Sequence, residues 1–511
     1  MRSLGEMLRK LYKPYVLFIV TAGYVVGELG HYLIGVTSRQ TARDLHYGDK
    51  ACQLNTSAGY THAEIPLPCG AANDSSSCDL ISLNGTSYCE WDYNGLGIEY
   101  QILAGPSFIA VFTIAGIFLG IAADRYNRVY MLAACTLLFS IATILMGSVN
   151  HYWELTLLRM VLALGEAGCN PMSAGILSDL FSESLFEFQD YRGLVMSIFN
   201  WGIYGGYGIA FPVGRYVTAA NIANLGWRLS YYAGGAVGLL LAILTGLTLR
   251  EPPRTAIGEE ATRASQDAAS GEAPAKVTLW DVLLQPRLIL LCIAASIRHM
   301  GGLCFAYNCD LYFQTYYPDV DLGWWLFAVT IVIGSIGVVA GGVLSDKIVG
   351  TMGVKSRVLV LAISQLIASP LAFGSVYCEP VGAMVTLGIS YFFAEMWFGI
   401  LFAILVEIVP LAVRSTTLGI FLFVMNNIGG NLPVLVEPVS KAIGYRESLW
   451  VFYVGAYLLS SVLFLLTMFV MEVPPKTPQE PEKPALEAPT SLALAERGVV
   501  NSGYVSESSR L

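Results

Sequence analysis

The chain has 511 residues, 55% of them hydrophobic and only 13% charged, with a mean hydropathy of +0.58. A soluble domain carries roughly 25% charge, so a water-facing surface, wholesale disorder and a disulfide-stapled miniprotein are excluded as its main character. The net charge of −9 lacks the basic stripe that nucleic acid requires, so no nucleic-acid partner is expected.

In chain order, residues 1–14 are basic and carry no apolar signal core, so they are read as a tail and not a cleaved leader. A bilayer crossing needs about 20 mostly apolar residues. About twelve such segments follow, starting near Tyr15, Tyr100, Val129, Trp153, Gly193, Trp227, Leu288, Gly323, Arg357, Val381, Thr416 and Leu449. Lys and Arg fall before the first of them and in alternate loops (Arg125 and Arg128; Arg192; Arg250, Arg254, Arg263 and Lys276; Lys347, Lys355 and Arg357). The loops SVNHYWE, YYPDVDLG and YCEPVGA carry none. By the positive-inside rule both termini and the 250–285 linker are cytoplasmic. The fold expected is therefore an all-α membrane protein of twelve helices in two six-helix halves, 15–249 and 286–471, with a disordered tail at 472–511.

The loop at 38–98 then faces outward. It holds Cys52, Cys69, Cys78 and Cys89, and the sequons at Asn55, Asn73 and Asn84. Disulfides and glycans both form on that side, so two disulfides are expected, their pairing open among three possibilities. No Cys/His spacing suggests a metal, and no phosphate-binding loop or cofactor motif is present.

Two loops repeat a pattern. GIAADRYNR places Gly120, Asp124, Arg125 and Arg128 after span two; GGVLSDKIVG places Gly342, Asp346 and Lys347 after span eight. Gly permits close helix approach, and the charges can lock one face of the bundle and release it. The duplication points to the major facilitator superfamily. Within it, LLRMVLALGEAGCNPMSAGILSDLF, YRGLVMSIFNWGIYGGYGIAFPVG, WRLSYYAGGAVGLLLAILTGLTLREPPR and VPLAVRSTTLG resemble the spinster family. That resemblance implies movement of amphipathic lipids such as lysophospholipids or sphingosine phosphate. The family's Asp-Arg pair of span one is replaced here by Gly30 and His31, so its proton coupling does not carry over.

Charges at membrane depth cost about 2.5–3.5 kcal/mol each on insertion scales, which makes each a functional candidate. Glu28 and His31 share a helix face and can hold a proton, a coupling or gating pair. Arg159 and Glu166 stand two turns apart on span four, where the guanidinium suits an anionic headgroup. Arg298 in span seven is a second anion ligand, or the partner of Glu395 in span ten. Asn426, Trp201 and Tyr204 are further candidates for lining the path. The expected activity is alternating-access transport of a small amphipathic or organic anion, not catalysis, at the plasma membrane in preference to the lysosome. A rival reading is a non-transporting receptor or scaffold that uses the outer loop and the tail. The ending at Leu511 suits a module that captures a C-terminal carboxylate.

Overall fold

A computed structural model describes residues 2–55, 67, 69–72, 74–83, 85–181, 192–253, 279–410 and 413–471. Most of the expected linker, the tail from 472, Leu511, and the sequons at Asn73 and Asn84 lie outside the described residues. The described residues belong to one unit, Met1–Glu472.

Helix α1 spans Arg2–Leu45, α2 Ile98–Ala104 and Pro106–Arg125, and α3 Arg128–Met146. Helix α4 spans Tyr152–Glu166 and Cys169–Leu180, α5 Arg192–Pro212, and α6 Trp227–Thr248. In the second half, α7 spans Pro286–Tyr316, α8 Gly323–Ala328 and Gly334–Met352, and α9 Val354–Tyr377. Helix α10 spans Pro380–Ala394 and Phe398–Ile408, α11 Arg414–Asn431 and Val436–Ile443, and α12 Tyr445–Leu449 and Gly455–Val470. Ten of these are long and apolar enough to cross a bilayer. The other two are α4, divided between Glu166 and Cys169, and α5. Their exteriors are apolar, with Phe118, Leu247, Val381 and Phe469 exposed, as a lipid-facing surface requires.

The first half packs α1 on α5 and α6, and α3 on α4 and α6; the second packs α7 on α11 and α12, and α9 on α10 and α12. Between the halves, α2 meets α11, α5 meets α8 and α1 meets α7. The α2–α11 crossing needs glycine. A Cβ on Gly105 would meet the Gly430 carbonyl at 2.9 Å, and one on Gly430 would meet Ile109 at 2.7 Å.

The first helix runs eight residues beyond the expected start of the loop, to Leu45. Its extension is polar in composition, but Ser38, Thr41, Ala42 and Leu45 are buried at helical spacing. The loop that follows is a small folded piece containing strands, which the apolar-segment reading did not anticipate. Strands β1 (Lys50–Leu54) and β4 (Cys89–Tyr93) pair antiparallel with Cys52 opposite Trp91; β2 (Ser82–Leu83) and β3 (Thr86–Ser87) form a hairpin. Cys52 joins Cys78 and Cys69 joins Cys89. The loop is tied to α1 by Arg43, which reaches Gln53 at 2.9 Å and Asp92 at 3.4 Å. It is tied to α11 by Asp49, 3.2 Å from Lys441. This end of the bundle is called the loop face below, and the end carrying Arg125 and Lys347 the latch face.

Candidate functional site

Glu28, His31 and Glu166 meet where α1 packs on α4. Their ligand-type atoms all lie within 4.8 Å of one another, and all three residues are buried. The His31 Nδ1 is 3.6 Å from Glu28 Oε2, and its Nε2 is 3.3 Å from the Tyr307 hydroxyl of α7. The imidazole stacks on Phe108 at 3.7 Å between centroids. Two glycines make the corner possible. A Cβ on Gly27 would touch the Glu166 carboxyl at 3.4 Å, and one on Gly206 would sit 2.4 Å from the Glu28 Cβ. Glu166 is 1% exposed and its Oε2 has no hydrogen-bond partner. Among the described residues, neither carboxylate is ion-paired with a Lys or Arg.

Arg159, two turns before Glu166, is turned to other work. Its Nε donates to the Leu103 carbonyl and its Nη2 to that of Ala104 at 3.2 Å. These carbonyls end the first segment of α2, which breaks at Gly105, and the last carbonyls of a helix lack intrahelical partners. The guanidinium therefore caps that break, 5.2 Å over the Phe108 ring, and keeps Nη1 without a partner. Arg159, expected to hold the anionic head, and Glu166, expected on the same path as a substrate or gating residue, are set by the structure against α2 and α1 respectively.

In the second half the charges do pair. Arg298 Nη2 reaches Glu395 Oε1 at 3.2 Å and the Ala394 carbonyl at 2.5 Å. Its guanidinium lies 4.2 Å from the Trp397 ring and 5.3 Å from that of Tyr457. Glu395 sits where α10 breaks, and its Oε2 accepts a 2.9 Å bond from Tyr204 of α5. Tyr204, Glu395 and Arg298 thus form one chain across the interface between halves at mid-span. Asn426 is half-buried on α11 beside Asn427, which is turned inward on its own helix, donating to Phe423 O at 2.9 Å. Trp201 is 38% exposed and packs on Gly205.

The repeated loops build two ion networks at the latch face. In the first half Arg128 bonds Asp179 at 2.7 Å, and Glu251 at the start of the linker at 2.6 Å. In the second, Arg357 bonds Asp346 at 2.7 Å and Glu407 at 2.8 Å. Gly120 and Gly342 have open space or only helix around them, and Arg125 and Lys347 point outward exposed. The Asp124 side chain lies outside the described residues. The partners that motif reading missed were Asp179, Glu251, Arg357 and Glu407. Their signal was the repeat itself: Arg128 and Arg357 open the third helix of each half, and Asp179 and Glu407 close the fourth.

Among the described residues, the hydrogen bonds and ion pairs joining the two halves lie at mid-span and towards the loop face. Besides Tyr204–Glu395 and His31–Tyr307, Gln101 donates to Asn308 at 2.8 Å and Tyr100 to the Tyr307 carbonyl. Nearer the end, Arg215 reaches Asp310 at 3.2 Å and Asp321 at 3.0 Å, and Tyr216 donates to Asp321 at 2.8 Å.

The chain is similar to known transporters over most of its length. Residues 75–432 match the model of the Major Facilitator Superfamily. Protein spinster homolog 1 of Rattus norvegicus is 27% identical over 34% of this chain, and the match spans about 30% of that relative's length. Protein spinster of Drosophila melanogaster is 24% identical over 68% of this chain and 57% of its own. The hexuronate transporter of Bacillus subtilis is 24% identical over 69% of this chain and 80% of its own. A crystal structure of a bacterial homologue of the human lysosomal transporter Spinster, in an inward-facing and occupied conformation, aligns with TM-score 0.64 at 19% identity, covering 90% of this chain and 96% of that one. With its two six-helix halves, its duplicated Gly-x-x-x-Asp loop and a match over most of its length, the chain belongs to the Major Facilitator Superfamily and, within it, resembles the spinster proteins.

Proposed function

We propose that the protein moves a small amphipathic organic anion across the membrane by alternating access, with lysophospholipid- or sphingosine-phosphate-like molecules as the substrate class. The observation that carries this is the Tyr204–Glu395–Arg298 chain. It joins the two halves at mid-depth through the Tyr204 hydrogen bond to a buried ion pair whose cation also lies against two aromatic rings. An anionic headgroup competes with Glu395 for Arg298, while Trp397 and Tyr457 offer apolar surface to the rest of the molecule. Displacing Glu395 frees Tyr204 and loosens the halves at their centre.

The bonds between halves among the described residues lie towards the loop face, which supports a transporter closed on that side. With the positive-inside reading, the loop face is exofacial, both termini are cytoplasmic, and Asn55 is a glycan acceptor on the outer loop at the plasma membrane. The two latch networks then hold each half rigid while the halves rock. We assign the Glu28–His31–Glu166 corner to coupling or gating. Hexuronate and sulfoacetate transporters among the relatives support an anionic substrate as the broader class.

The test is flux in proteoliposomes. Labelled lysophosphatidic acid, sphingosine phosphate, lysophosphatidylcholine and a hexuronate are offered in parallel to the intact protein and to Arg298→Ala. The reading expects saturable flux of an anionic amphiphile, lost in the variant. Flux of none of them, with outer-loop capture of a protein partner, establishes the receptor reading instead.

A further inference from the structure

We propose that Glu28, His31 and Glu166 form a binding site for a divalent first-row cation of the zinc class, held between α1 and α4. The ligand names the chemistry of the corner already assigned to coupling; its role rests on that assignment, its existence does not.

The argument begins with the imidazole. The His31 Nε2 faces the Tyr307 hydroxyl at 3.3 Å, and its Nδ1 faces Glu28 Oε2 at 3.6 Å. Metal-bound histidines are fixed in this way, one nitrogen donating to an outer partner while the other turns its lone pair to the ion. With Nε2–H donating to Tyr307, the Nδ1 lone pair points at a carboxylate oxygen. In that tautomer two acceptors face each other, and a cation between them satisfies both. Glu166 comes from another helix and is 1% exposed; one of its carboxylate oxygens lies within 4.8 Å of the other two ligand atoms, and its Oε2 has no hydrogen-bond partner. Arg159, the nearest cation on α4, is fixed on the carbonyls of Leu103 and Ala104.

The donor set and spacing select the class of ion. One imidazole nitrogen with two carboxylates suits zinc and its neighbours; hard ions such as sodium or calcium take oxygen alone. Ligands at about 2.0–2.1 Å in a tetrahedron stand roughly 3.3–3.4 Å apart, close to the 3.6 Å between Glu28 and His31. All three ligand atoms lie within 4.8 Å, so Glu166 completes the set by a shift of about 1.5 Å towards that spacing. Three protein ligands leave a fourth position open. Phe108 covers one face of the imidazole, and the close approach of Gly206 seals α5 against Glu28.

Sequence could not show this site, because positions 28, 31 and 166 follow no metal-ligand spacing and meet only through the packing of α1 on α4. The test is equilibrium dialysis of the purified full-length chain in detergent against radioactive Zn²⁺, with the visible spectrum of Co²⁺ as a second reading. The expected result is one saturable ion per chain at micromolar metal. Binding falls more than 100-fold in Glu166→Gln and in Glu28→Gln, and about 10-fold in Tyr307→Phe, in keeping with the roughly 10–100-fold cost of losing an outer partner. Co²⁺ shows a four-coordinate spectrum that His31→Ala abolishes. Each variant is compared only where its gel-filtration profile matches the parent, and two independent carboxylate changes keep the test open if one misfolds. No saturable binding, equal binding in every variant, or an all-oxygen six-coordinate Co²⁺ spectrum overturns the proposal. Flux without zinc binding fails this inference alone; zinc binding without flux fails the transport reading alone.

Discussion

The two halves of the molecule treat their buried mid-span charges in opposite ways. In the first, Arg159 caps a broken helix, and Glu28 and Glu166 lack a Lys or Arg ion-pair partner among the described residues. In the second, Arg298 and Glu395 neutralise each other, and the pair is shared across the interface with Tyr204. A paired buried charge resists the loss of either member, because the survivor is left uncompensated; an unpaired carboxylate waits for a proton or a cation. The second half thus carries the link between halves, and the first carries the site with capacity for an added positive charge.

The largest expected effect follows from that pairing. Glu395→Gln leaves Arg298 charged and unpaired at mid-depth and costs about 3–5 kcal/mol, measured as a fall in thermal stability in detergent. Tyr204→Phe removes only one neutral donor to a charged group, about 1.5–3 kcal/mol, and a double-mutant cycle with Glu395→Gln shows non-additivity if the two act as one chain. An additive cycle breaks the comparison.

The latch networks give a second, smaller contrast. Asp179 is 4% exposed at its side chain and Asp346 71%. Arg128→Ala removes charge-assisted bonds to the buried Asp179 and to Glu251 and costs about 1.5–3 kcal/mol, whereas Arg357→Ala loses largely solvated pairs worth about 1 kcal/mol or less each. Equal losses in unfolding experiments would show that burial does not distinguish the two latches. Smaller still, Asp49→Asn removes an exposed pair to Lys441, which stays 3.0 Å from Glu437, and costs under about 1 kcal/mol, a cost that added salt erases. The smallest change is Glu166→Gln, which removes an unpaired buried charge and causes no loss of thermal stability. A loss comparable with that of Glu395→Gln would mean that Glu166 has a charged partner.

Much of this was legible in the sequence because lipid imposes a simple rule. Apolar length places the helices: the expected starts at Trp227 and Gly323 coincide with the observed helix starts, and those at Tyr100 and Val129 fall one or two residues inside theirs. The pairing of Arg298 with Glu395 was readable as an alternative from their similar depth. Other features depend on helix phase, which hydropathy does not carry. Arg159 and Glu166 share a face of α4, yet a break in α2 at Gly105 captures one and a gap at Gly27 admits the other. The end of α1 was misplaced because its last eight residues are polar in composition while packing on a narrow buried stripe against protein. The strands of the loop domain are too short and too cysteine-rich for alternation to reveal them.

The central claim is that the halves move as bodies about the Tyr204–Glu395–Arg298 link. Spin labels read it most directly: one pair at Asn150 and Glu379 on the loop face, another at Tyr126 and Leu284 on the latch face, with distances taken by electron–electron double resonance with and without an anionic lysolipid. The account predicts that substrate lengthens the loop-face distance as the latch-face distance shortens, and that Glu395→Gln shifts the populations without substrate. Distances that stay fixed, or change together in one direction, would contradict it.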